Sequence, residues 1–405
     1  VRRACERPAD RGAGVHGDAP AKGLLLTNDF PPMTGGEATW YARLCAALPP
    51  EAVVVLAPHV PGDRAFDARQ PYRIVRRRVP VSPHPVARLA QVALLLWHAW
   101  WIARRERVRA VHVGHLYLGP VAQILRWLLG LPYVLYLHGG ELAAYMRWGI
   151  VREAARAVVG GARLVVTNSD YTRRMYQSLG VRHRRTTTVT IGVDGGRFRP
   201  GLDPRGVRAR YGLDGARVIL TVGRLVERKG HDTIIRALDR VRAEIGPVRY
   251  LVAGRGPEEE RLRALARDLG VADAVVFAGR VPDEELPFLY AACDVFAMPS
   301  REIPERDGVE GFGIVFLEAG ACGKPVIGGR SGGVADAVAD GQTGVLVNPH
   351  DVDDVAAALV RLLRDPQLAA RLGAEGRRRA EAAWSEWPEA LARAWTEAGG
   401  TSDGA

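Results

Sequence analysis

Short apolar runs alternate along the whole chain with longer stretches of helical spacing, and this rhythm limits the fold more than any other feature of the sequence. Runs at 23–27, 53–57, 110–113, 133–137 and 164–167 fall between helical stretches near 37–48, 86–107, 119–129, 151–159 and 170–179. Strands separated by helices make βαβ units and a parallel sheet. A further strand is predicted over 186–191, then a Gly/Pro/Arg-rich passage reaching Tyr211, with a domain boundary placed near 198–205. Runs at 218–222, 250–253, 275–278, 295–298, 325–328 and 344–347 then repeat the pattern. The fold class is α/β, with the second half repeating the architecture of the first.

At 405 residues, 47% hydrophobic and 25% charged, the chain can bury two full cores. Cys5, Cys45, Cys293 and Cys322 are scattered without a Cys-x-x-Cys pair. Neither a disulfide framework nor a zinc site is indicated, and a reducing cytoplasm is the expected compartment. Residues 1–21 lack the apolar centre of a secretion signal and read as a disordered extension, with Val1 a literal translation of a non-standard start codon. The longest uncharged apolar run, 89–103, is shorter than the roughly 20 residues of a spanning helix, so none is predicted.

The net charge of +11 is unevenly spread. Residues 1–200 hold 29 Lys and Arg against 13 Asp and Glu, a net of +16, while residues 201–405 hold 27 against 32. A basic half suits nucleic acid, an anionic membrane or an acidic substrate, and Arg-rich codon usage is the plain alternative. On the stretch 86–107, Arg88, Gln91, His98 and Arg105 share a narrow stripe, while Leu94, Leu96, Trp97, Trp100 and Trp101 cover the rest. That pattern predicts burial against the sheet, although three tryptophans beside Arg104, Arg105 and Arg107 also suit peripheral contact with an anionic membrane. Arg76-Arg77-Arg78 and Arg182-His183-Arg184-Arg185 read as further basic surface.

Ligands on parallel sheets bind beyond the carboxyl ends of the strands, so the loops there hold the candidate site. Gly35-Gly36 opens a helix after the first strand and offers a backbone nest for a phosphate or sugar hydroxyl, or else an ordinary turn. His138, in His138-Gly-Gly-Glu141, follows the strand ending at Leu137, where a structural hydrogen-bonder and a functional residue are both open. In Gly223-Arg224-x4-Lys229-Gly230, two cations five apart suit a diphosphate clamp, Arg through its planar fork and Lys as a point charge. Glu310 and Glu318 lie eight apart around a helix expected to start near Phe312, so Glu310 belongs to the loop and Glu318 sits about two turns inside. Between them, Gly311 and Gly313 admit close backbone approach, and the helix start favours an anion. Gly254-x-Gly256 is no dinucleotide fingerprint, because Glu259 replaces the third glycine. Asp351-x-Asp353 reads as a helix N-cap, so no metal site is assigned. A packing helix is expected over Trp384 to Trp395.

Taken together, Gly35-Gly36, His138-Gly-Gly-Glu141, Gly192-Val-Asp194 with Phe198 and Pro200, Gly223-Arg224-x4-Lys229-Gly and Glu310-x7-Glu318 resemble the family 4 retaining glycosyltransferases of the GT-B fold, over roughly residues 22–395. The resemblance implies two Rossmann-like parallel-sheet domains facing a central cleft. Residues 22–198 would bind the acceptor and residues 199–380 the nucleotide sugar, with a C-terminal helix and tail over 381–405. It also implies roles. Glu310 would contact the donor sugar, Glu318 the ribose hydroxyls, and Arg224 with Lys229 the diphosphate. Backbone at Phe312, Gly313 and Ile314 would hold sugar and phosphate, Gly35 and Gly36 would lie on the diphosphate side, His138 would bond the sugar, and the base would sit by Arg280-Val281. Within the family, Asn28-Asp-Phe-Pro-Pro and the 308–318 stretch look most like bacterial GDP-mannose-dependent mannosyltransferases acting on phosphatidylinositol mannosides. Met33 and Glu37-Ala-Thr39 depart from that subgroup, which leaves UDP-linked donors open.

The expected activity is retaining, metal-independent transfer of a hexose, mannose among the candidates, from a nucleotide-diphosphate sugar to a lipid-linked or glycan acceptor. Charge building on the departing diphosphate would be met by Arg224, Lys229 and helix N–H groups in place of a divalent ion. No cofactor is implied beyond the donor. The expected site of action is the cytoplasm or the inner face of the membrane. A sugar-nucleotide epimerase on the same fold is the alternative. A nucleic-acid partner is not expected, since the basic loops lack interleaved aromatics and any nucleic-acid motif.

Overall fold

The computed structural model describes residues 20–33, 35–78, 85–139, 149–178, 180, 183–303 and 308–399. Apart from its last two positions the expected extension over 1–21 lies outside them, as do Glu141 and Arg182. Seven strands come from the first half: β1 (Gly23–Leu26), β2 (Val53–Pro58), β3 (Arg73–Arg77), β4 (Ala110–Val113), β5 (Tyr133–Leu137), β6 (Leu164–Thr167) and β7 (Thr186–Thr188). Six come from the second: β8 (Arg217–Val222), β9 (Val248–Ala253), β10 (Val275–Gly279), β11 (Val295–Met298), β12 (Val326–Gly329) and β13 (Gly344–Val347). All pair in parallel, in the orders β3-β2-β1-β4-β5-β6-β7 and β10-β9-β8-β11-β12-β13. The two-sheet α/β architecture expected from the alternating runs is therefore present.

Four readings need correction. β3 was not foreseen, because its residues Arg73, Arg76 and Arg77 leave only Ile74 and Val75 as an apolar signal. Arg76 is buried rather than part of a basic surface. Its guanidinium pairs with Asp67 at 2.8 Å, donates to the Pro58 carbonyl and lies over the Phe30 ring. The strand expected over 186–191 stops at Thr188. On the helix Pro85–Arg105, the buried stripe is Leu95, Ala99, Ile102 and Ala103, while Trp97 is 59% exposed and Trp101 37%. A helix lying on a sheet buries only one stripe, at i, i+4, i+7 and i+8 here, so the tryptophans outside that stripe face solvent.

Each sheet is covered on both faces, as parallel sheets require. One face of the first packs against helices Pro85–Arg105, Gly119–Leu129 and Gly149–Gly161. Its other face packs against Gly36–Ala46 and is completed from the far end of the chain. The helix Pro366–Gly399 begins on the second half, where Leu372 and Ala380 join its cores, and delivers Trp387, Leu391, Ala394, Trp395 and Ala398 to the first. Trp395 stacks on His112 at 3.5 Å and 6°, and its indole N–H donates to the Ala21 carbonyl. In the second half, helices His231–Ile245, Glu259–Asp268 and Val352–Arg364 cover one face, and Leu286–Ala292 with Ile314–Ala321 the other. As expected, Asp351 caps Val352–Arg364, its carboxylate accepting from the Asp353 and Asp354 N–H groups, which contributes about 1 kcal/mol.

Strand order reverses between β1 and β4 in one sheet and between β8 and β11 in the other. Crevices open beyond the carboxyl ends of strands at such points. The loops after these four strands, with those after β5, β6 and β10, lead to the residues described next.

Candidate active site

On the second half, β8 runs through Gly223 and Arg224 into a short turn, Glu227–Lys229, and then the helix His231–Ile245. Gly230 makes the bend with φ 73°, and a Cβ there would lie 2.1 Å from the Pro299 carbonyl oxygen. Only glycine lets this loop lie against the one after β11. Arg224 is exposed, Arg228 half-buried and Lys229 buried. The Glu310 carboxylate takes two cations on one oxygen: Arg228 Nη1 at 2.7 Å and Lys229 Nζ at 2.5 Å reach Oε2. Burial pushes the Glu310 carboxyl up, but Lys229 and Arg228 outweigh it and hold it below the usual carboxylate range. Lys229, drawn out of water, is itself shifted down, with Glu310 opposing the shift.

Past Glu310 the chain turns through Gly313, at φ 90°, into the helix Ile314–Ala321. The helix starts two residues later than expected, which places Glu318 just over one turn inside instead of two. Among the described residues no side chain caps this N-terminus, so its first N–H groups, beside the buried Phe312 and Gly313, suit an anion. Glu318 is buried and accepts from the Tyr290 hydroxyl at 2.8 Å. Burial raises its carboxyl, with the Tyr290 bond and the Arg43 cation opposing. Arg280 is exposed and Val281 half-buried just after β10 ends at Gly279.

On the first half, Gly35 and Gly36 lead the helix Gly36–Ala46, with open space where a Cβ would stand. His138 is buried, edge-on to the Trp40 and Tyr41 rings at 5.4 and 5.3 Å. Its Nε2 lies 2.7 Å from the Tyr41 hydroxyl, which donates to the Gly114 carbonyl. A hydroxyl has one proton, so Nε2 must be the donor to Tyr41, and Nδ1 is left as an acceptor. Burial pushes the imidazole down to about 3, keeping it neutral.

The two halves touch across the cleft. Ser169 Oγ donates to the Gly311 carbonyl at 2.6 Å, the Tyr171 N–H to Asp336 at 2.6 Å, and the Tyr171 hydroxyl to Glu302 at 2.8 Å. Glu310 and His138 are thereby brought to one place, as are Lys229 and the helix start at Ile314.

Two groups of residues were missed from sequence. Arg228 is one, hidden in a Glu-Arg-Lys run with nothing to set it apart from a solvated charge. The other is Asp29 and His115, on the loops after β1 and β4, with Glu37 in the first turn of the helix Gly36–Ala46. His115 Nε2 lies 3.2 Å from Asp29 and Nδ1 3.4 Å from Glu37, and the bond to His115 lowers the Asp29 carboxyl against burial. Their ligand atoms lie within 4.8 Å of one another, close enough for a metal ion. The imidazole, however, offers a different nitrogen to each carboxylate and so stands between them instead of joining them round one point.

Two family models match the chain, one described as Glycosyltransferase Family 4 over residues 34–197 and one as Glycosyl transferases group 1 over residues 207–379. A GDP-mannose-dependent alpha-(1-6)-phosphatidylinositol monomannoside mannosyltransferase of Mycolicibacterium smegmatis is 38% identical across 90% of this chain and 94% of its own. The chain belongs to the family 4 glycosyltransferases. This glycosyltransferase is also 34% identical, across 91% of its length and 95% of the relative's, to a GDP-mannose-dependent monoacylated alpha-(1-6)-phosphatidylinositol monomannoside mannosyltransferase of Corynebacterium glutamicum. Solved structures share its GT-B fold: Anabaena HepE in complex with UDP and glucose superposes with a TM-score of 0.77 at 22% identity, covering 92% of this chain and 97% of that one. Sucrose-phosphate synthase from Thermosynechococcus elongatus gives 0.77 at 24% identity, covering 92% and 96%. As a family 4 glycosyltransferase the protein is an enzyme that moves a hexose from a nucleotide-diphosphate sugar, as expected from its loops. These relatives are transferases, against the epimerase alternative. Among the described residues no helix is long and apolar enough to cross a membrane.

Proposed function

We propose that this glycosyltransferase moves mannose from GDP-mannose to an inositol-lipid mannoside, with retention of configuration and without a divalent ion. The observation that carries the reading is the meeting of Lys229, Glu310 and the open helix start at Ile314 opposite His138, in a chain similar over nine-tenths of its length to GDP-mannose-dependent enzymes. Donor binding falls to residues 199–380 and acceptor binding to residues 22–198.

Arg224 and Lys229 hold the diphosphate, and Lys229 exchanges Glu310 for phosphate when the donor enters. Backbone at Phe312, Gly313 and Ile314 adds N–H donors, with Gly35 and Gly36 on the opposite side. Glu310 accepts from a sugar hydroxyl, His138 bonds the same sugar through Nδ1, Glu318 takes the ribose hydroxyls, and the base rests by Arg280 and Val281. As the sugar–phosphate bond breaks, negative charge grows on the leaving phosphate. Cations and N–H groups already in place stabilise it without reorganising, which supplies what a metal would. The leaving phosphate, on the face of attack, takes the acceptor's proton. No carboxylate is needed as a base.

The acceptor reaches this cleft from a membrane surface. Trp97 and Trp101 stand exposed on the helix Pro85–Arg105, with Arg104 over Trp100 and Arg105 over Trp101 at 5.2 and 4.9 Å. Trp127 and Leu128 on the next helix are exposed as well. Aromatic rings flanked by arginine suit the headgroup region of an anionic leaflet.

A panel of GDP-, UDP- and ADP-linked hexoses tests the reading. GDP release should require both GDP-mannose and a phosphatidylinositol mannoside, persist in EDTA and give an α-linked product by NMR. Preference for a UDP-sugar, or a β-linked product, overturns it.

A further inference from the structure

Arg228 has no part in the scheme above, yet it makes one of the two ionic contacts to Glu310. The geometry points to Arg228 as a positioning residue for sugar transfer: it keeps the Glu310 carboxylate aimed into the cleft while Lys229 turns to the donor. This rests on the roles proposed for Glu310 and Lys229.

Both cations converge on Oε2 of Glu310, and among the described residues Oε1 takes no hydrogen bond. One carboxylate oxygen is thus anchored and the other is left for a hydroxyl. A lysine ammonium is a point charge that can turn to a diphosphate, whereas the rigid guanidinium fork loses less freedom for each hydrogen bond it makes to the carboxylate. Arg228 is also braced. Its carbonyl accepts from the Arg301 N–H at 2.9 Å, and Arg301 in turn donates to Asp232 at 3.0 Å and to Thr233 at 3.2 Å. Its stem runs beside Gly308, where a Cβ would lie 3.4 Å from Arg228 Cδ, within van der Waals contact. The bracing ties Arg228 to the start of the helix His231–Ile245, independently of anything bound in the cleft. Once Lys229 leaves for phosphate, Arg228 is the one remaining ionic partner of Glu310 among the described residues.

Arg228→Gln, Arg228→Lys and Lys229→Gln are compared by steady-state kinetics and by calorimetry with GDP. Arg228→Gln should lower kcat about tenfold to a hundredfold. It should leave the affinity for GDP within about threefold, since no phosphate contact is removed. Arg228→Lys, which keeps the charge but not the planar fork, should recover only part of the turnover, and unchanged GDP affinity in both variants shows that they are folded. Lys229→Gln should weaken GDP binding. If Arg228→Gln turns over normally, or weakens GDP binding as much as Lys229→Gln, the positioning role is wrong. Should Lys229→Gln bind GDP normally, the diphosphate clamp itself fails, and that outcome is separate from the first.

Discussion

Gly311 and His138 meet across the cleft with no room for a side chain: a Cβ on Gly311 would lie 2.1 Å from the His138 carbonyl oxygen. Gly311→Ala must therefore push the Glu310 loop away from the first half. Misplacing reacting groups by about 1 Å can cost about a hundredfold in rate. A kcat loss of that order, with GDP affinity little changed, is expected from kinetics and calorimetry. An alanine variant with normal turnover would show that catalysis does not need this contact.

Replacing Glu310 by Gln keeps the shape and removes the charge that Arg228 and Lys229 share. Turnover should fall by about a hundredfold or more. Nucleotide binding should survive if Lys229 serves the phosphate as proposed. The check is a single-turnover rate measured beside a GDP titration, and an unchanged rate would remove Glu310 from the chemistry.

Acid stability should be governed first by histidines. Burial pushes His112 and His138 down to about 3 and His231 down to about 4. In the unfolded chain each would titrate near about 6.5, so between these limits the unfolded state binds more protons and stability rises with pH. The contribution is whole above about 6.5 and is lost as pH falls, at up to about 1.4 kcal/mol per pH unit for each histidine. Glu310 and Asp29, whose carboxyls are lowered, contribute above their unfolded values near about 4 and lose that contribution only below them. The thermal unfolding temperature should therefore fall between pH 6.5 and 5, above the range in which the lowered carboxyls of Glu310 and Asp29 titrate. A flat profile there would contradict the buried, neutral histidines.

Trp97→Ser with Trp101→Ser should lower co-sedimentation with anionic vesicles while leaving GDP binding intact. Each arginine near such a surface is worth on the order of 1 kcal/mol, so binding to vesicles should also weaken with salt. Equal binding by the double variant would overturn a membrane role for these tryptophans.

What the sequence made legible was local or periodic. β4, β5 and β6 fall at the apolar runs, and the loops bearing Gly36, His138, Lys229 and Glu310 follow their strands because a parallel sheet puts every strand's carboxyl end on one rim. What it hid depends on partners far along the chain. Arg76 is buried because Asp67 and two carbonyls receive it, and nothing within Arg76-Arg77-Arg78 distinguishes it from its neighbours. Arg228 and Glu310 are 82 positions apart, and His115 is as remote from Asp29, so their pairing exists only once the strand order brings the loops together. Trp97 and Trp101 were hidden for another reason: a helix with apolar residues on most sides does not announce which side the sheet will cover.

The helix Pro366–Gly399 has a consequence for how the protein comes into being. The first sheet ends at Thr188, but the residues that seal one of its faces begin at Trp387. A ribosome releases the first half with Leu25, Val55 and Tyr136 still lacking that cover, and must make the whole second half before Trp395 can settle on His112. Completion of the first domain thus waits for synthesis of the second, and a chain cut short before Trp387 leaves an apolar face for chaperones to hold.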